Sequence, residues 1–318
     1  MRVALVLGSG GARGYAHIGV IDALRERGFD VVGISGSSMG ALVGALQAAG
    51  ALDEFTAWAS SLTQSAVLRL LDPSLTAAGV LRAEKILAAV REMIGPRTIE
   101  SLPIPFTAVS TDLIAGKSVW LQRGPIDAAI RASIAIPGVI APYLLDGRLL
   151  ADGGILDPLP MAPLAAVNAD LTIAVSLNAS DPTPPTDAPS ATAELMSRMR
   201  RSTTSLIDRA AASTLLDGPT ARSVLSRFSN AVDGIDNAEP DIEADAVPRL
   251  GGFEVMNRTI EISQAALMRH TLAAYPPDLL IEVPRTVCRS LEFYRADEVI
   301  EIGHELACAA LDSLKLGN

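Results

Sequence analysis

The sequence predicts an α/β protein on a mostly parallel central sheet, and three observations carry that prediction. Short apolar runs alternate with helical stretches through the first half of the 318 residues. The first run ends in a glycine loop, Gly8-Ser9-Gly10-Gly11-Ala12-Arg13-Gly14. The second ends in Gly36-Ser37-Ser38-Met39-Gly40, followed by a small-residue helical stretch.

Taken in order, residues 3–7 read as a buried first strand, and the glycine loop leads into a helix over 15–27. There Ile18, Ile21 and Leu24 supply an apolar stripe and Gly28 a stop. Residues 31–34 form the second strand, and 41–46 lie in the helix after the serine turn. Further helices are expected over 53–62 and 83–94, the latter stopped by Gly95-Pro96. Residues 105–110 and 118–121 read as strands, and 125–134 as a helix with proline in its first turn. Residues 149–151 form a strand leading into Asp152, and 171–177 a clean buried strand. After Asn178 the texture changes. Four prolines between 181 and 190 mark a linker, 193–216 a polar helix carrying Arg198, Arg200 and Arg201, and 233–245 an acidic loop. An amphipathic helix over 256–275, a strand over 279–283 and a closing helix over 296–314 complete the chain. The organisation expected is a catalytic core over 1–178, a linker with a lid or mobile helical segment over 179–255, and a completing helix-strand-helix over 256–318.

Composition narrows the function classes. Hydrophobic residues make up 49%, enough for a substantial core. Net charge is −10, no long Lys/Arg run occurs and aromatics are only 4%, which argues against a nucleic-acid partner. Cys288 and Cys308 lack metal-type spacing and read as buried free thiols in a reducing compartment. The span 31–52 is uncharged and long enough to cross a bilayer. Its Gly and Ser residues favour a strand, a turn and a buried helix instead. Arg2 before the short apolar run 3–7 suits a first strand better than a secretory leader. The expectation is a cytoplasmic protein, with peripheral contact at the inner face of a membrane as an option. No metal and no cofactor are expected.

Strand, G-x-S-x-G, helix is the geometry of a nucleophile elbow. Gly36 and Gly40 permit the sharp turn that lifts the Ser38 hydroxyl to a helix N-terminus, where free N–H groups favour negative charge. The glycine loop over 8–14 can converge backbone N–H groups on one point. It suits either a phosphate or an acyl-transfer oxyanion. The dinucleotide fingerprint fails, because Gly8 and Gly10 fit but the third position is Arg13; a Walker loop fails because Gly-Lys-Ser/Thr is missing. Neighbouring parallel strands would place this loop beside Ser38, which favours the oxyanion reading. Arg13 is either a surface cation or a support for the loop. Ser38 needs a base. His17, His270 and His304 lie inside helical stretches and read as structural. Asp152 in Ala151-Asp152-Gly153-Gly154 follows an apolar strand, and Gly153 and Gly154 let the backbone approach another element closely.

These three motifs, in this order and spacing, resemble the bacterial patatin-like phospholipases. Two further stretches share the resemblance: Ser110-Thr111-Asp112-Leu113 with Gly116, and Arg131-Ala132-Ser133-Ile134-Ala135-Ile136-Pro137-Gly138. The resemblance covers about residues 1–178. It implies a three-layer α/β/α fold, a Ser-Asp dyad and hydrolysis of lipid acyl esters of the phospholipase A or lysophospholipase kind. By position, Ser38 resembles the nucleophile and Asp152 its base. Gly10 and Gly11, with the neighbouring Ala12, resemble the oxyanion hole, and Gly8, Arg13, Gly14, Gly36, Gly40, Gly153 and Gly154 support the motifs. Two other readings stand beside this one. A Ser-Asp-His α/β-hydrolase with His270 or His304 as base fits the residue order, but only one strand precedes the serine. A regulatory protein binding a lipid or acyl ligand on the same scaffold is the non-enzymatic alternative.

Overall fold

The computed structural model describes residues 1–70, 84–179 and 252–314. The chain divides into two units, one of Met1–Pro185 with Met256–Asn318 and one of Thr186–Val255. Only the last four residues of the second unit are described. The linker expected at 181–190, the helix at 193–216 with its three arginines and the acidic loop at 233–245 all lie outside the described residues.

Eight strands form one sheet: β1 (Arg2–Leu7), β2 (Asp30–Ser37), β3 (Phe106–Asp112), β4 (Lys117–Leu121), β5 (Tyr143–Leu145), β6 (Arg148–Asp152), β7 (Leu171–Ala179) and β8 (Leu279–Pro284). Their order is β5-β6-β3-β2-β1-β7-β8, with β4 also paired to β3. The four pairings β3-β2, β2-β1, β1-β7 and β7-β8 are parallel. β4, β5 and β6 add an antiparallel end. Sequence reading does not find β5, whose three residues are too few to show alternation.

Central β1 is apolar on both faces, as a strand covered on both sides must be. Val3, Leu5 and Leu7 enter one core, and Ala4 and Val6 enter the other. The helices are α1 (Ala16–Glu26), α2 (Met39–Ala49), α3 (Leu52–Ser60), α4 (Gln64–Leu70), α5 (Glu84–Ile94), α6 (Ile126–Ser133), α7 (Gly252–Ala274) and α8 (Ala296–Ser313). The larger core lies under α1, α2, α3, α5, α6 and α8. The smaller one lies under Met268 and Leu272 of α7 and the turns bearing Leu159, Met161 and Leu164. The result is the expected three-layer α/β/α arrangement. Two details differ from expectation. The helix read from residue 15 is preceded by a 3-10 turn, Gly11–Tyr15, because the glycine loop must close tightly before α1 begins. Cys288 is buried as expected, but Cys308 is only half-buried, since α8 turns one edge to solvent.

The helix α8 closes the domain by lying against α1 at backbone contact. A Cβ on Gly303 would strike the Ala16 carbonyl, and one on Gly19 would strike the Ile300 carbonyl. Replacing a mid-helix glycine by alanine would stabilise an exposed helix by about 1 kcal/mol. At this crossing the added methyl must force the helices apart, so Gly303→Ala is expected to lower stability by about 1–3 kcal/mol. Denaturant titration checks the sign: a raised midpoint would show that the two helices do not meet there.

Candidate active site

The site is assembled by one feature of sheet topology. The first half of β3 pairs with β2, from Ile34↔Phe106 to Ser37↔Val109. The end of β3 pairs on that same edge with β6, from Ser110↔Asp152 to Asp112↔Leu150, while β4 occupies the opposite edge from Ala108 to Asp112. β6 therefore runs head-on into the end of β2. The last residue of β6, Asp152, meets the residue after β2, Ser38.

The turn at Ser38 has the geometry expected of an elbow. Ser38 sits at φ 56, ψ −123, a left-handed conformation that costs a non-glycine residue about 1–3 kcal/mol. Gly36 and Gly40 are required by crowding. A Cβ on Gly36 would strike the Gly40 carbonyl, and one on Gly40 the Leu7 carbonyl. Ser133 at the end of α6 holds the turn in place. Its Oγ accepts the Ser38 backbone N–H at 3.0 Å and donates to the Val109 carbonyl at 2.6 Å. Ser133 belongs to a stretch that the sequence singles out only by resemblance, and no pattern in the sequence shows what its hydroxyl touches.

The Ser38 Oγ donates to Asp152 Oδ2 at 2.5 Å, and both residues are buried. The other oxygen, Oδ1, accepts the Gly154 N–H at 2.8 Å, and the Asp152 N–H donates to the Ala135 carbonyl at 2.9 Å. Burial pushes the Asp152 carboxyl up to about 6, against the opposing pull of the hydrogen bonds from Ser38 and Gly154. Gly153 and Gly154 serve close approach, to the Val109 carbonyl and the Ser9 side chain respectively. Nearby Asp157 is also pushed up to about 6 by burial.

The glycine loop lies between β1 and α1. Gly8 donates to the Val175 carbonyl at 3.0 Å, and Ser9 donates to that of Pro158 at 2.8 Å. Gly10 leaves no room for a side chain beside Leu177, nor Gly14 beside Met39. The sequence grouped Ala12 with Gly10 and Gly11 as an oxyanion donor. The structure corrects this: the Ala12 N–H is committed to the Ser290 carbonyl at 2.9 Å. The Gly10 and Gly11 N–H groups make no hydrogen bond among the described residues. Arg13 is buried, with Nη2 3.5 Å from Glu261 Oε1 of α7, so its charge faces inward to that helix.

Gly11, Ser38 and Met39 line one cavity of about 750 Å³, counting its open mouth. The remaining wall is apolar and includes Leu42, Phe55, Trp58, Ile134, Val139 and Phe293. Arg131 fixes part of this wall by donating to the Ala141 carbonyl at 2.9 Å while lying 5.4 Å from the Tyr143 ring centre. No histidine hydrogen-bonds to Ser38 or Asp152 among the described residues. The His17 Nε2 is 2.8 Å from the Gly8 carbonyl oxygen, and burial lowers its imidazole to about 4. His304 pairs with Glu26, and His270 is exposed on α7. Among the described residues no cluster of His, Cys, Asp or Glu could hold a metal ion, and no helix is long and apolar enough to cross a membrane.

Ser133→Ala is expected to leave the buried Ser38 N–H without its partner, at a cost of about 1–3 kcal/mol. Ser133→Thr, which keeps the hydroxyl, is expected to retain more of that stability. Equal thermal midpoints for Ser133→Ala and the parent would show that the contact does not hold the elbow.

The chain is similar to known proteins along much of its length. Residues 5–165 match the family model for patatin-like phospholipase. A Mycobacterium tuberculosis protein named as an uncharacterized NTE family protein is 67% identical over 333 residues, covering 99% of this chain and 92% of that one. Mouse patatin-like phospholipase domain-containing protein 6 is 32% identical over 188 residues, covering 57% of this chain and 14% of that one. The crystal structure of VipD from Legionella pneumophila aligns with a TM-score of 0.44 at 16% identity, covering 98% of this chain and 66% of that one. With the family match spanning half of its length and a relative aligned along nearly all of it, the chain belongs to the patatin-like phospholipase family.

Proposed function

We propose that this chain is a serine hydrolase of lipid acyl esters that works through a Ser38–Asp152 dyad. The observation that carries the reading is the 2.5 Å hydrogen bond between the two side chains at the head of an apolar cavity. In this reading Asp152 Oδ2 takes the Ser38 proton as Oγ attacks the ester carbonyl, forming a tetrahedral intermediate. Gly11, which lines the same cavity with its N–H unpaired among the described residues, and the free N–H groups at the start of α2 offer donors for the oxyanion. Collapse expels the alcohol, which leaves with the proton that Asp152 received. A water then gives its proton to Asp152 and attacks the acyl-serine, and the acid is released with Ser38 re-protonated. The acyl chain lies along the apolar wall. An ordinary aspartate is a weak base, and raising it to about 6 strengthens it while leaving it ionised at neutral pH.

A second reading, a binding protein for an acyl ligand, rests on the same cavity. It gives no use to the strained serine and its buried base. The Ser-Asp-His reading has less support, because each histidine is engaged or exposed away from Ser38.

A fluorophosphonate probe is expected to label Ser38 and nothing else, and Ser38→Ala to remove hydrolysis of a short p-nitrophenyl ester by several orders of magnitude. Asp152→Asn is expected to be nearly as damaging, while folded His270→Ala and His304→Ala remain active. Activity retained in Ser38→Ala above about a tenth would end the proposal.

The pH dependence follows from the raised carboxyl. Only ionised Asp152 acts as base, so kcat/KM is expected to rise with pH through about 6 and then level off. Any residual activity of Asp152→Asn should lack this limb, even though Asp157 still titrates near there. Stability moves the other way. The folded state keeps the Asp152 proton to higher pH than the unfolded chain does, so stability falls as pH rises from about 4 to about 6. Asp157, raised likewise, adds a fall over the same range, so Asp152→Asn should make the fall shallower without removing it, and a thermal-midpoint series across pH tests it.

A further inference from the structure

One motif is not used by the dyad: Ser110-Thr111-Asp112-Leu113 with Gly116, where β3 turns into β4. The structure shows a rigid tip there. Asp112 Oδ1 accepts the N–H groups of Ile114 and Ala115 at 3.0 and 2.9 Å. The Gly116 N–H closes the turn on the Asp112 carbonyl at 2.9 Å, and Gly116 takes φ 62. This turn commits a buried aspartate to holding Ile114 in solvent, where it is 82% exposed. The tip also continues sideways into the neighbouring hairpin. The Leu113 N–H donates to the Leu149 carbonyl at 2.9 Å, and Leu149 pairs with Leu144, which is 68% exposed. Leu113, itself 42% exposed, Ile114 and Leu144 thus form one exposed apolar edge on two hairpins among the described residues.

The charge and position of this edge point to its partner. Lys117 and Arg148 flank it, both exposed and neither in an ion pair among the described residues. Asp146 is the one exposed acid on the two tips, Asp112 being buried in the turn it holds. Counting Asp112, the tips balance at 0 (two cations less two anions) against −10 for the chain, and their exposed rim carries Lys117 and Arg148 against Asp146 alone. Ser110 is level with Asp152 in the sheet, and Leu113 and Ile114 lie three and four residues beyond it. At about 3.3 Å per residue the strand runs roughly 7 Å past the dyad to its end at Asp112, and the turn bearing Leu113 and Ile114 extends beyond that. Interfacial apolar residues enter a bilayer by about 5–10 Å. A tip seated at that depth would hold the Ser38–Asp152 level just outside the headgroups.

We propose that Leu113, Ile114 and Leu144, rimmed by Lys117 and Arg148, form the surface by which the protein docks on an anionic lipid bilayer. The choice of a lipid partner rests on the lipid-ester reading above. The surface itself is independent of the dyad and is tested without catalysis.

Co-sedimentation with phosphatidylcholine vesicles containing phosphatidylglycerol, in a Ser38→Ala background, measures binding alone. Adding Ile114→Asp and Leu144→Asp together is expected to weaken partitioning at least about tenfold, because two apolar side chains leave the interface and two charges replace them. Ile114→Trp should bind at least as well as the parent, with tryptophan emission shifted to the blue on vesicles. Lys117→Glu with Arg148→Glu should weaken binding to the anionic vesicles and remove its salt dependence. The Ile114→Asp/Leu144→Asp pair with Ser38 intact should hydrolyse a small soluble ester at the parent rate, which excludes misfolding. Unchanged vesicle binding in that pair would overturn the proposal, as would a parent that does not bind vesicles. So would a pair that alters only the oligomeric state, which would assign the edge to a second copy of this chain. Tip-dependent binding without Ser38-dependent ester hydrolysis would remove the hydrolase reading and support the docking surface.

Discussion

Everything around the site depends on β2 and β6 sharing one edge of β3. A parallel strand delivers Ser38 at its end, and a strand running the other way delivers Asp152 to the same point. The two ends must meet within a hydrogen bond, and they do, at 2.5 Å. Neither strand could bring the pair together alone. Ser38 and Asp152 are 114 residues apart, and their contact exists only because β3 offers each of them a stretch of the same backbone ladder.

The meeting point carries two costs that the surrounding structure offsets. The first is the left-handed backbone at Ser38, which Ser133 fixes through its N–H while crowding admits only glycine at Gly36 and Gly40. The second is a carboxylate with almost no access to water, compensated only in part by Gly154 and Ser38. The stretch from Arg131 to Ala141 answers both. Ser133 grips the elbow, Ala135 grips the backbone of Asp152, and Arg131 braces the loop that walls the cavity. One short segment thus ties Ser38, Asp152 and the cavity wall to the end of α6.

The third layer also reaches the site. Glu261 of α7 meets Arg13 in the glycine loop, and Met268 of the same helix fills the smaller core. The Ser290 carbonyl near the start of the closing segment holds Ala12. Residues that follow Asn178 by a hundred positions therefore shape a loop that begins at Gly8. Residues 1–178 are not structurally independent of the C-terminal strand and helices.

The sequence alone determined the local devices. Alternating apolar runs set the parallel strands, glycine spacing set the elbow and the loop over 8–14, and the strand before Asp152 marked its end as a turn at the sheet. These are short-range patterns, and short-range sterics decide them. Only the tertiary structure decided which donors are free and which side chains meet. Ala12 looks equivalent to Gly11 in sequence, yet its N–H is taken by a carbonyl 278 positions away. Ser133 has no local signature, because its partners Ser38 and Val109 belong to other elements. The strand β5 is too short to announce itself, and it exists because β6 offers it an edge. Hydrogen bonds between distant elements obey geometry that no window of sequence contains, and that geometry made a cavity, a clamp and an exposed apolar edge from residues that read as ordinary.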